Sequence, residues 1–188
     1  LRPGGFQTCR YYDPLKLKLG WRRGDSQALT EEAGSLIEQA CAVAAAGAGS
    51  PALTLTAGLD STNVAARMLR VLPPEQRLTT VTFVPSAEMT QTELPFRSLD
   101  EREAVEAFAA RHPRIDPQFI DNAGIGFDHR LEQLFMAMGT GPACTSINFR
   151  YHGLFDRAAE QGCDRLLIAE MGETTFSASG EWAYGEFL

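Results

Sequence analysis

Leu53-Thr54-Leu55-Thr56-Ala57-Gly58-Leu59-Asp60-Ser61-Thr62 begins as an uncharged run of strand formers. It turns at the small pair Ala57-Gly58 and closes on Asp60-Ser61-Thr62. Beyond it Val64, Ala65, Met68, Leu69 and Leu72 recur at helical spacing. The stretch reads as buried strand, tight loop, helix. That order aims free backbone N–H groups and the positive end of a helix dipole at one point, which suits a phosphate. Small residues let the backbone approach the anion. The hydroxyls of Thr56, Ser61 and Thr62 are placed to donate to phosphate oxygens. Asp60 repels a phosphate, so its carboxylate is best explained by a shared Mg²⁺. The plain alternative is an ordinary strand–helix corner capped by Asp60 or Ser61.

The neighbouring elements decide what sheet this strand joins. Residues 1–23 are rich in Gly, Pro and aromatics and read as an entry segment. Thr30 is the expected N-cap of a first helix, with Glu31 and Glu32 behind it. Its apolar stripe is Ala33, Leu36, Ile37, Ala40, Cys41 and Ala44, and Gly47 and Gly49 end it. Strands are expected near 53–57, 78–84, 117–120 and 165–169, the second stopped by Pro85. Ser98 and Glu101 have capping-box spacing before a helix that buries Ala104, Val105, Phe108 and Ala109. A fourth helix is read on Phe127, Leu131, Leu134, Phe135 and Met138, broken by the Gly139–Pro142 cluster. A fifth carries Tyr151, Leu154, Phe155, Ala158 and Ala159 and stops at Gly162. Strands alternating with helices imply an open α/β sheet, mainly parallel, with helices on both faces. Such sheets bind ligands at the carboxyl ends of their strands. Two strand ends here carry chemistry: the loop after Leu55 and the loop after Ile168.

The second loop is Ala169-Glu170-Met171-Gly172-Glu173-Thr174-Thr175-Phe176. Two carboxylates three residues apart at a strand end are poor core material. Glu173 is expected to face Asp60 across a metal, since Mg²⁺ takes one or two carboxylates alongside substrate phosphates. The alternative is a pair of capping acids for a following helix.

Bulk properties narrow the function classes. The 188 residues suffice for one domain with a sizeable core. A net charge of −7 argues against non-specific nucleic-acid binding. No apolar run approaches the ~20 residues of a membrane span, and no signal-peptide pattern is visible. Cys9, Cys41, Cys144 and Cys163 are scattered without metal spacing, which suggests reduced thiols and a cytoplasmic setting. His112, His129 and His152 lie far from both loops, and Lys16 and Lys18 are the only lysines.

Thr56-Ala57-Gly58-Leu59-Asp60-Ser61 resembles the Ser-Gly-Gly-x-Asp-Ser pyrophosphate loop of N-type ATP pyrophosphatases, the PP-loop superfamily. The flanks resemble its asparagine synthetase group. Thr56 replaces the family's Ser, and Ala57 replaces a Gly. The second replacement matters if that residue needs positive φ or very close phosphate contact. Residues 168–176 resemble the family's Thr-Gly-x-Gly-x-Asp-Glu-x-Phe. There Glu173 stands where the metal-binding Asp stands, Glu170 matches a Glu frequent in asparagine synthetases, and the Asp-Glu pair is reduced to Glu173-Thr174. Met171 to Ser177, Asp100-Glu101-Arg102 and Arg111-His112-Pro113 are similar to the lasso-peptide macrolactam cyclase branch. The resemblance covers residues 28–188.

It implies an adenine nucleotide alpha hydrolase-like fold, with ATP and Mg²⁺ as cofactors. It also implies adenylation of a carboxylate, release of pyrophosphate, and displacement of AMP by an amine. ATP is then expected at Leu55, Thr56, Ala57, Gly58, Leu59, Asp60, Ser61, Thr62 and Ala169, with adenine against Leu55, Phe83 and Val84. Asp60 and Glu173 would hold the metal, and Glu170 would position the amine or accept its proton. The substrates would be small-molecule or peptide carboxylates and amines. Nucleic acid and membranes are not expected partners, while a glutaminase domain or a second copy of the chain is. Residues 1–27 would follow a missing glutaminase-like domain, as the chain begins at Leu1 rather than Met. Residues 28–188 would be an ATP-pyrophosphatase domain ending before the family's late catalytic lysine, so this chain is expected to bind nucleotide without turning it over. A contrasting expectation is a degraded module that binds a nucleotide or partner without catalysis, given Ala57, Glu173 and Thr174.

Overall fold

The computed structural model describes residues 9–13, 16, 26–86, 100–126, 128–139, 141 and 145–169, side chains excepted at 137–138 and 145–148. The elements in order are α1 (Ser26–Ala45), β1 (Pro51–Thr54), α2 (Leu59–Val71), β2 (Leu78–Phe83) and α3 (Arg102–Arg111). Then follow β3 (Ile115–Ile120), α4 (Leu131–Met138), α5 (Thr145–Glu160) and β4 (Arg165–Leu167). These strands form one sheet in the order β3-β2-β1-β4, and every neighbouring pair is parallel. Ala52 is registered with Thr79 on one side and Leu166 on the other. This is the open parallel α/β sheet expected from the alternation of elements.

Both faces are covered, as a parallel sheet requires. Leu53, Leu55, Leu78 and Ile115 pack with Cys41, Ala65, Met68 and Val105, so α1, α2 and α3 lie on one face. Ala52, Val81 and Ile120 pack with Leu154 and Ala158 of α5 on the other. Alternate strand residues point to opposite faces, which is why Ala52 and Leu53 join different cores. Leu53, Leu55 and Met68 are wholly buried. Each such side chain stabilises the fold by roughly 1.5–3 kcal/mol relative to exposure.

Several boundaries differ from the sequence expectation for identifiable reasons. β1 occupies 51–54 rather than 53–57. Pro51 opens it, where a missing N–H is tolerated. Leu55 N still donates to Val81 O at 3.1 Å, but Thr56 N turns away to the Ser61 hydroxyl, ending the ladder. β3 begins at Ile115 and contains Pro117, which an edge strand accommodates. α1 begins at Ser26, and Thr30 is interior to it, its hydroxyl donating to Ser26 O at 2.7 Å. Its inward face runs through Gly34, Ile37 and Cys41, while Leu36 is 59% exposed and Ala33 and Ala40 face outward. Gly34 lies under the Arg67 side chain of α2, whose guanidinium occupies the space a Cβ would take. α3 has Glu101 as N-cap. Asp100 takes the amide of Arg102 at 3.1 Å and its guanidinium at 2.8 Å. Ser98 lies outside the described residues. Gly162 ends α5 at φ +73° as expected. Among the described residues no helix is long and apolar enough to cross a membrane.

Candidate nucleotide site

The loop after β1 is held by hydroxyls. Ser61 is 4% exposed. Its Oγ accepts the amide of Thr56 at 3.0 Å, lies 2.8 Å from the Thr56 hydroxyl, and reaches the carbonyls of Thr56 and Gly58 at 3.1 and 3.3 Å. Gly58 N donates to Thr56 Oγ1 at 3.1 Å, and Thr62 Oγ1 donates to Gly58 O at 2.9 Å. The Ser61 and Thr62 hydroxyls are therefore engaged inside the turn. What the turn offers outward is its backbone.

Gly58 is the N-cap of α2 and makes no side-chain cap. The amides of Leu59, Asp60 and Ser61 have no partner among the described residues. Together with the helix dipole they present partial positive charge at the carboxyl end of the central strand. Ala57 does not have positive φ, since among the described non-glycine residues only Asn122 and Arg130 do. Its Cβ therefore carries no left-handed strain. A Cβ on Gly58 would sit 3.1 Å from Thr56 Oγ1, closer than side chains ordinarily pack.

Asp60 Oδ1 is buried and has no hydrogen-bond partner among the described residues. An orphaned buried carboxylate oxygen is costly, and a cation would satisfy it. On that observation the loop fits Mg²⁺ with a phosphate. Glu170 and Glu173 lie outside the described residues. Among the described residues no cluster of three or more His, Cys, Asp or Glu side chains could hold a metal. A metal at Asp60 would thus draw its other ligands from phosphate, water or residues beyond those described.

Beside the loop is a cavity of about 160 Å³. Leu55, Val81, Phe83 and Leu154 make its apolar walls, Thr56 and Ser61 its loop side, and Ala169 its β4 side. Glu101, Arg150 and Tyr151 complete it. Five residues expected to touch ATP are thus brought together: Leu55, Thr56, Ser61, Phe83 and Ala169. Ala57, Gly58, Leu59, Asp60 and Thr62 form the adjoining turn and first helical turn. Val84 is buried but lines a separate cavity of about 330 Å³ with Arg102, Ile120, Asn122 and Arg157. Consecutive residues at a strand end point to opposite sides, so Phe83 and Val84 cannot both face the first cavity. A third cavity, about 610 Å³, is an open groove between α1 and α2 to which no strand end contributes.

Glu101, Arg150 and Tyr151 were not singled out from the sequence as site residues. The available signal was helical: Arg150, Leu154 and Ala158 share one stripe at i, i+4 and i+8, and the latter two are buried. Elsewhere His129 and His152 stack edge-on at 5.4 Å, a contact that their separation in sequence did not suggest. His152 is 7% exposed, and burial, then the neighbouring His129 and Arg130, lowers its pKa below 6.5.

No family model and no curated protein matches the sequence. Among solved structures, 46 chains match. One is the NH3-dependent NAD synthetase from Campylobacter jejuni subsp. jejuni NCTC 11168 in complex with the nitrate ion. It is 15% identical, the match covers 85% of this chain and 74% of that one, and the TM-score is 0.42. The class defined by the described residues is an open parallel α/β domain with a strand–turn–helix corner between β1 and α2.

Proposed function

We propose that the chain binds Mg·ATP at the Thr56–Ser61 loop and belongs to an AMP-forming, ATP-dependent C–N ligase of the asparagine synthetase type. The observation that carries this reading is the pairing of partnerless amides at the start of α2 with the orphaned Oδ1 of Asp60. Amides alone suit any anion, and a carboxylate alone suits any cation. The two side by side suit a phosphate that brings its own metal. The cavity of about 160 Å³ is smaller than the roughly 300–1,000 Å³ of whole-ligand pockets. It suits the base of a nucleotide, with the phosphates lying over the loop.

The chain's residues would then act by positioning and electrostatics. Leu55 and Phe83 flank the base. The amides of Leu59, Asp60 and Ser61 hold the β,γ-pyrophosphate, while Gly58 N is engaged by the Thr56 hydroxyl. A substrate carboxylate oxygen attacks the α-phosphorus, the bond to the bridging oxygen breaks, and pyrophosphate departs with the electron pair. An amine next attacks the acyl carbon, AMP leaves, and Glu170 takes the amine's proton. Bound Mg²⁺, held by Asp60 and Glu173, would neutralise charge on the departing pyrophosphate. A macrolactam-forming cyclase differs only in taking both groups from one peptide.

The test is ATP binding by this chain with and without Mg²⁺, beside ATP–pyrophosphate exchange by the full-length protein with candidate carboxylates. Asp60→Asn is expected to weaken Mg-dependent ATP binding about tenfold or more, with the melting temperature nearly unchanged. A large fall in melting temperature with ATP binding intact would identify Asp60 as a capping residue instead. Binding without exchange would point to a non-catalytic nucleotide module.

A further inference from the structure

We propose that Arg150 is a phosphate-binding cation on the loop side of this site, so that the chain recognises a nucleoside phosphate rather than a nucleoside; the inference rests on nucleotide binding at the Thr56–Ser61 loop. Three observations place the guanidinium there. Arg150 lines the same cavity as Leu55, Thr56, Ser61 and Phe83. It continues the inward stripe of α5, one turn ahead of Leu154 and two ahead of Ala158, both buried against the sheet. The stripe thus leads from the core to the carboxyl ends of the strands, and its last member there is charged.

The second observation is pairing. Among the described residues Arg150 makes no salt bridge, whereas Arg67, Arg70, Arg77, Arg102, Arg130 and Arg157 are each paired with a carboxylate. Arg111, Arg114 and Arg165 make none either, but Arg114 and Arg165 donate to backbone carbonyls and none of the three lines this cavity. Glu101 lines the same cavity, yet no salt bridge joins it to Arg150. A guanidinium facing a cavity without an acidic partner is available to an anionic ligand.

The third is charge balance. Without Arg150, the charged side chains around the described cavity and turn are the carboxylates of Glu101 and Asp60. A polyphosphate would meet repulsion there, relieved only by the loop amides and a metal. The planar guanidinium supplies two parallel N–H donors that match phosphate oxygens, and it stays charged at any working pH. Tyr151 is next in sequence and stacks on Phe155 with ring centroids 5.9 Å apart, which braces the helix surface behind Arg150.

The experiment compares ATP and adenosine binding to the full chain and to its Arg150→Gln and Arg150→Lys variants, at two salt concentrations. Arg150→Gln is expected to weaken ATP binding about ten- to a hundredfold while leaving adenosine binding and melting temperature unchanged. Its ATP affinity should also depend less on salt. Arg150→Lys should recover part of the loss, since it restores charge without the fork. Equal ATP affinity in wild type and Arg150→Gln overturns the proposal while nucleotide binding stands. Equal losses for ATP and adenosine also overturn it, by showing a packing role. Wild-type protein that binds neither ligand overturns the nucleotide reading itself, and this inference with it.

Discussion

Ser61 ends β1 by offering a side chain where a strand would have continued. Its Oγ meets the Thr56 amide, the Thr56 hydroxyl and two carbonyls within 3.3 Å while nearly buried. Ser61→Ala would remove the partner of the Thr56 amide in a half-buried turn. A loss of about 0.5–1.5 kcal/mol is expected, that of one ordinary hydrogen bond, measurable by urea unfolding. ATP binding should fall as well, because the turn would no longer hold its amides in line. Unchanged stability would mean that Thr56 finds another acceptor. Asp60 presents the opposite case. Its buried Oδ1 has nothing to lose among the described residues, so its replacement is expected to affect ligand binding and spare the fold.

At the scale of elements, much was legible because periodicity survives local detail. The uncharged run of strand formers from Leu53, the small corner Ala57-Gly58 and the stripe from Val64 to Leu72 mark strand, loop and helix in the sequence itself. Helix starts were less legible. Glu101 is the N-cap of α3, with Asp100 accepting the Arg102 amide, and Gly34 of α1 lies against the Arg67 side chain of α2. The second contact depends on a partner distant in sequence, and no local pattern encodes that. Arg150 escaped notice because its role depends on how far α5 extends past the sheet. The roles of Glu170 and Glu173 rest on residues outside those described. Asp164 shows an element-level dependence open to test. It accepts the amides of Gly49 at 2.7 Å and Ser50 at 3.1 Å, tying the start of β4 to the start of β1. Those amides lower its pKa below 3.8. Its contribution is therefore present above that value and lost as pH falls through the lower folded one. Asp164→Asn is expected to lower the melting temperature at pH 7 and to speed amide exchange at Gly49 and Ser50. Exchange unchanged at both would show that the clamp is dispensable.

For the whole molecule, His152 sets a slope on the acid side. Burial keeps it neutral in the fold, while the unfolded chain takes up a proton near the ordinary value of 6.5. Below that value the unfolded state binds more protons, so stability declines with falling pH until the folded form also protonates. His129 and Arg130 deepen the effect and Asp156 opposes it. Thermal melts from pH 7.5 to 5 should fall in the wild type and fall less steeply for His152→Gln. Parallel curves would assign the slope to other groups.

The strand order has a consequence in time. β1 is flanked by β2 and β4, and the hydrogen bond from Ser50 to Asp164 spans 114 positions. A chain emerging from the ribosome presents its central strand early and the neighbour on one side late. Until Arg165–Leu167 arrives, one edge of Pro51–Thr54 has no strand beside it. Pairings of such separation are slow to close, and open apolar edges invite association between chains. The anion-receptive turn sits on that same strand, so a ligand that holds the turn would act as an early brace for a sheet completed last.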